Sequence, residues 1–247
     1  MFPEETFRRK CSGRDVPATR EGTGEPVNRG ERAAQTRVPE RLSVRDQVLG
    51  ALRGAIVSGE LSPGSVHSAP ALAGRYGVSA TPVREAMQSL AREGAVEVLP
   101  NRGFRIAERS ARDLAELAEV RALLEVPVVL ALARTVPSER WEGLRPLADA
   151  TVAVAARGDR AAYAESDRAF HRALLELSGN LQLVSVADEL HRRAQAPSVV
   201  SGKVGARPAA LLADATEHSV LLEALVAGDL LTVEALAREH VLGLAGG

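Results

Sequence analysis

The chain has 247 residues, 45% hydrophobic and 26% charged, which excludes a disulfide-stapled miniprotein, a collagen-like chain and a wholly disordered polymer. Its 31 basic and 32 acidic residues leave a net charge of -1, so the molecule as a whole exerts no bulk pull on nucleic acid or anionic membrane. One cysteine, Cys11, excludes an intrachain disulfide or a zinc knuckle and fits a reducing, cytoplasmic setting.

Residues 1–40 mix Gly, Pro, Thr, Arg and Glu without apolar periodicity, and are expected to form a flexible arm. No apolar stretch follows Arg8 to Lys10, and the longest apolar run, Val126 to Ala133, is far short of the roughly 18 residues of a spanning helix. Neither export nor membrane insertion is expected. Beyond the arm the charge divides. Residues 41–109 hold nine basic and six acidic residues, a net of +3, and the remainder from Ser110 holds fourteen and nineteen, a net of -5. Such a split is expected when one half meets a polyanion and the other does not.

In the basic half, Val44, Val48, Leu52 and Ile56 recur every four residues, which predicts a helix ending near Ser58-Gly59. Pro63-Gly64 makes a turn, Leu72 and Tyr76 fit a short second helix stopped by Gly77, and Ser79 or Thr81 caps a third with Pro82 in its first turn. This is helix-turn-helix spacing. On the third helix Val83, Ala86, Met87 and Leu90 point inward, which leaves Thr81, Arg84, Glu85 and Gln88 outward. Hydroxyl, guanidinium and amide groups near a helix N-terminus suit phosphates and base edges of a major groove; without a partner the same face is a solvated surface. Val96 to Leu99 and Phe104 to Ile106 predict a two-stranded hairpin with Arg102 at its tip, placed as a wing.

Several ordered motifs coincide here: Ile56 to Gly64, Leu72-Ala73 to Ser79, Thr81-Pro82-Val83-Arg84-Glu85-Ala86, and Glu93-Gly94 to Asn101-Arg102-Gly103. Together they resemble the GntR family of bacterial transcription regulators. The resemblance implies a winged helix-turn-helix in which Ser79, Thr81, Arg84, Gln88, Arg102 and Gly103 meet DNA. Two positions depart from the family pattern. Pro70 stands at a usually polar place in the second helix, and Ala80 replaces a base-reading arginine. That loss removes roughly 1 to 3 kcal/mol of base discrimination, so an altered operator or a larger share for Arg84 is expected.

The acidic half shows no convincing strand. A helix start at Ser110 with Asp113, and breaks at Pro137, Gly158-Asp159, Ser178-Gly179-Asn180, Pro197 to Pro208 and Gly228-Asp229, divide it into about six helices of an antiparallel bundle. The fold class expected is therefore mainly α, a winged head over residues 41–109 and an all-helical body over 110–245. On the first body helix Arg121 shares a face with Leu114, Leu117, Leu124 and Val128. A guanidinium there needs an anionic partner, either Glu125 or another internal carboxylate, or the carboxylate of a ligand. Asp167 and His171 project from one side of a helix, and His218 and His240 lie on apolar stripes. A lone inward histidine is usually a satisfied core residue. Three with an adjacent carboxylate form a set suited to a divalent metal.

Glu119-Val120-Arg121, Asp167-x-x-Phe170-His171, Leu177-Ser178-Gly179-Asn180, Glu217-His218 and Glu239-His240 resemble the FCD effector domain of the FadR-type branch. This resemblance implies Asp167, His171, His218 and His240 as metal ligands, Arg121 and Asn180 as contacts to a small organic acid, and no corresponding role for His67 or His191. The metal would be zinc first, with nickel, manganese or iron admitted by the same donors. The whole reads as a homodimeric repressor that binds a palindromic DNA operator and is released by the acid. The rivals are a metal-dependent enzyme acting on such an acid and a regulator whose metal is purely structural.

Overall fold

The computed structural model describes residues 43–195 and 208–243; the arm expected over residues 1–40 lies outside them. Helix α1 (Val44–Val57) starts where the Ser43 side chain accepts a hydrogen bond from the Asp46 amide, and it buries Val48, Leu52, Ala55 and Ile56. A two-residue strand β1 (Val66–His67) leads into α2 (Ala69–Tyr76) and α3 (Ala80–Arg92), followed by β2 (Val96–Leu99) and β3 (Gly103–Ile106). Pro70 sits in the first turn of α2, where no amide donor is required, so it does not break the helix. Gly77 closes α2 in the left-handed conformation, the usual use of glycine at a helix end.

The expected two-stranded wing is a three-stranded antiparallel sheet in the order β1-β3-β2. The added strand pairs Val66 with Arg105 and His67 with Phe104. Two residues carry no periodicity, and β1 exists because the outer edge of β3 offers ladder partners to it. Gly103 is required where these strands meet. Its φ is +106°, and a Cβ there would stand 2.4 Å from the His67 carbonyl oxygen. Leu52, Val83, Met87, Leu90 and Ile106 fill the core of this head.

The body runs α4 (Ala111–Thr135), α5 (Ser138–Glu142), α6 (Arg145–Ala155), α7 (Arg160–Glu176), α8 (Leu181–Ala194), α9 (Pro208–Ala227) and α10 (Leu230–Gly243). The five-residue α5 is the one helix added to the expected count among the described residues. Ser110 and Asp113 exchange hydrogen bonds as a capping box, which fixes the start of α4. The buried face of α4 carries Ala118, Arg121, Glu125, Val129 and Leu132, slightly rotated from the stripe expected from sequence. Helix α10 packs on α4 and α9, α6 on α7 and α9, and α8 on α4 and α7. Val126, Trp141, Phe170, Leu174 and Leu222 lie at the centre of the body. No helix among the described residues is long and apolar enough to cross a membrane.

Candidate metal centre and DNA-binding face

Helix α7 places Asp167 and His171 one turn apart on its inner side, while α9 and α10 bring in His218 and His240, all four buried. The three imidazoles meet through the same ring atom. His171 Nε2 lies 2.9 Å from His240 Nε2 and 3.2 Å from His218 Nε2. Asp167 Oδ1 joins them, 3.2 Å from His218 Nε2 and 3.6 Å from His171 Nε2.

Hydrogen bonds at Nδ1 orient two of the three rings. Thr151 donates its hydroxyl to the Ala148 carbonyl at 2.6 Å, so its oxygen accepts from His218 Nδ1, 3.2 Å away. His240 Nδ1 donates to Glu217 Oε2 at 2.6 Å, and His171 Nδ1 faces Glu125 Oε2 at 3.8 Å. With protons on Nδ1, three Nε2 lone pairs and a carboxylate oxygen converge on one point. Outer acceptors that orient imidazoles in this way are the usual support of a metal site. Asp167 is divided likewise: Oδ2 accepts from Gln195 Nε2 at 2.8 Å, while the buried Oδ1 has no hydrogen-bond partner. Converging lone pairs and an unsatisfied carboxylate oxygen repel one another unless a cation lies between them, so the donor set fits a divalent ion.

Electrostatics agree. Burial, partly opposed by Asp167, pushes His171 down to about 3, and burial also lowers His218, so both rings are neutral and able to ligate. Beside the cluster, burial pushes Asp214 up to about 6. A cavity of about 10 Å³ borders His171 and His240, room for about one water-sized occupant.

Arg121 is buried close by and has its anionic partner within the chain: Nε donates to Glu125 Oε1 at 2.8 Å. One of its terminal amino groups also contacts His191 Nε2. His191, given no role from sequence, is buried with its ring 4.4 Å from that of His171. The signal was present, because Val184, Ala187 and His191 share one buried stripe of α8. Asn180 lies elsewhere; it is exposed, and its side chain caps α8 by accepting from the Leu183 amide.

On the head, Val83, Ala86, Met87 and Leu90 are buried and Thr81, Arg84 and Gln88 are exposed on one face of α3. Ser79 is the N-cap residue and makes no side-chain capping bond, so its hydroxyl is available at the positive end of α3. Arg102 is exposed at the wing tip beside Asn101, whose φ is 59°. Gly103 is half-buried, and its backbone geometry accounts for its identity.

Two family models match the chain: bacterial regulatory proteins of the gntR family over residues 44–106, and the FCD domain over residues 116–243. The "Probable D-xylose utilization operon transcriptional repressor" of Paenarthrobacter nicotinovorans is 30% identical over 202 residues, covering 81% of this chain and 87% of that one. The HTH-type transcriptional repressor GlaR of Escherichia coli is 27% identical over 199 residues, covering 77% and 89%. The solved structure of E. coli McbR/YncC superposes with a TM-score of 0.66 at 26% identity, covering 82% of this chain and 95% of that one.

Proposed function

Because this chain belongs to the GntR family of bacterial regulatory proteins and carries an FCD domain, we propose that it is a repressor of the FadR-type branch whose DNA affinity is set at a metal centre in its helical body. It is a transcription regulator by family, not an enzyme. In our reading Asp167, His171, His218 and His240 hold the divalent ion, and the observation that carries this is the convergence of three Nε2 atoms on the unsatisfied Asp167 Oδ1. A bound ion supplies a Lewis-acidic anchor for the carboxylate of a small organic acid.

The DNA contacts belong to Ser79, Thr81, Arg84, Gln88 and the wing around Arg102 and Gly103. A palindromic operator requires two heads, hence a homodimer, for which exposed Val120 and Leu123 on α4 offer an apolar face. Coupling has a short route. A methyl group placed on Gly54 of α1 would sit 3.6 Å from the Ala161 side chain, so the head rests on α7, the helix that carries Asp167 and His171. An acid that favours one placement of α7 shifts DNA affinity by no more than its differential affinity for the two placements.

The Arg121–Glu125 pair favours a second reading, a structural metal without an effector, because the guanidinium already has its anion. Elemental analysis tests the metal: wild type should carry a divalent ion that His218→Ala loses, and full retention would sink the assignment. Thermal melting of the loaded protein against a panel of small carboxylic acids separates the two readings. A raised midpoint together with release of bound DNA supports the sensor, and no shift with any acid supports the structural ion.

A further inference from the structure

We propose that Glu125 is a carboxylate shared between Arg121 and His171, which turns to the His171 ring when that ring ligates an ion and so gives up one of its contacts to Arg121. This rests on the reading of Asp167, His171, His218 and His240 as the ligands, and it adds what joins that centre to Arg121. Arg121 and Glu125 stand one turn apart on α4, both buried. They meet His191 of α8 and His171 of α7.

Two of the ligand imidazoles have an acceptor at Nδ1, Thr151 for His218 and Glu217 for His240. Among the described residues the third, His171, has none within reach, because Glu125 Oε2 lies 3.8 Å from its Nδ1. Arg121 holds that carboxylate back. Oε1 accepts from Arg121 Nε at 2.8 Å, and Oε2 accepts a long contact of 3.4 Å from a terminal amino group. Oε2 thus stands between two donors and is bonded well to neither. The same amino group meets His191 Nε2, which can only accept there, since a guanidinium has no acceptor. Glu125, His171 and His191 also make a second set of ion donors, but Arg121 donates into it and fills that place with its own charge.

Ligation decides the competition. The His171 ring, bound through Nε2, keeps its proton on Nδ1 and is polarised, and a carboxylate is the usual outer partner of such a ring. Glu125 Oε2 has to close from 3.8 Å to hydrogen-bond distance, a move of about 1 Å. It exchanges a 3.4 Å contact for a hydrogen bond, while His191 keeps the Arg121 amino group from losing every acceptor. One guanidinium N–H is released, the donor on which the acid of the sensor reading would dock. The trade is reciprocal: whatever engages Arg121 in place of Glu125 strengthens the hold on the ion.

The test uses the full-length chain and zinc alone. In zinc-loaded protein with isotope-labelled histidine, the His171 Nδ1–H resonance should lie downfield and exchange slowly with water, like those of His218 and His240. Zinc affinity, from competition with a chelator, is then measured through a double-mutant cycle of Arg121→Met and Glu125→Met. Arg121→Met should tighten zinc about tenfold where Glu125 is present and change it little where Glu125→Met is also present. An equal gain in both backgrounds would mean that the guanidinium repels the ion through space, and would overturn the proposal. So would a His171 Nδ1–H that exchanges freely in loaded wild type. A wild type that takes up no zinc would instead sink the ligand assignment itself. If Glu125→Met, which leaves the guanidinium unpaired, does not fold, the wild-type resonance decides.

Discussion

Asp167 shows how much of the proposed centre depends on residues that would never touch the ion. One carboxylate oxygen points into the cluster, and the other is held by the Gln195 amide. Gln195→Leu removes that donor while keeping a side chain of similar length. It should lower metal affinity by about 10- to 100-fold, the usual cost of losing an orienting partner; competition against a fluorescent chelator measures it, and unchanged affinity would show that the carboxylate needs no second support. The histidines set the response to pH. Burial holds His171 at about 3 when folded, against an ordinary 6.5, and burial also lowers His191 and His218. Between those values the unfolded chain binds protons that the folded metal-free chain does not, so stability is fully present above about 6.5 and is lost as pH falls toward 3. Asp214, raised to about 6, opposes this between 6 and 3.8, but as one group against three. Urea unfolding of chelated protein at pH 7, 6 and 5 should therefore show declining stability, and a flat or rising profile would mean that these rings are charged in the folded state.

Elements add constraints that single side chains do not reveal. At the crossing of β1 and β3, a side chain on Gly103 meets both an unfavourable φ and a backbone carbonyl. Gly103→Ala should destabilise the head by about 1 to 3 kcal/mol or more, read as a lower urea midpoint, whereas Gly77→Ala meets no neighbour and should cost only its left-handed φ. The contrast also marks what the sequence could convey. Helices α1 to α3, the β2–β3 hairpin and the Ser110–Asp113 cap were legible because each is specified locally, by an apolar period, a cap or a turn. The same holds for the inward positions of Asp167, His171, His218 and His240, which follow from helical spacing. Strand β1 was not legible, since its two residues are strands only by virtue of β3, nearly forty positions away. The partner of Arg121 was left open between Glu125 and a ligand, because helical spacing permits the pair without excluding a competitor; packing supplies Glu125. His191 illustrates a third case. Its stripe was visible, but the Arg121 side chain it meets lies 70 residues away on α4. Asn180 could have been recognised as a cap, since Ser178-Gly179-Asn180 precedes an apolar-periodic run.

Across the whole molecule, the net charge of -1 conceals a head of +3 and a body of -5. For a DNA-binding protein this separation matters more than the total, because phosphates attract the surface that reaches them and a negative body disfavours contact by any other face. Arg84 on α3 and Arg102 at the wing tip are exposed cations, and no ion pair of either is found among the described residues. Their contributions are separable by salt. Each phosphate neutralised by a cation steepens the fall of log affinity with log salt by about 0.9. Against a DNA site selected by the protein from a random-sequence pool, Arg102→Ala should weaken binding nearly uniformly across sequences and flatten the salt slope by about one. Arg84→Ala behaves differently if its guanidinium reads a base edge in the role that Ala80 cannot fill. It should then cost about 1 to 3 kcal/mol on the selected site and relax the preference for that site, with a smaller change in slope. Fluorescence anisotropy at several salt concentrations measures both quantities. Identical slopes and affinities for wild type and the two variants would place the DNA contact on some other surface.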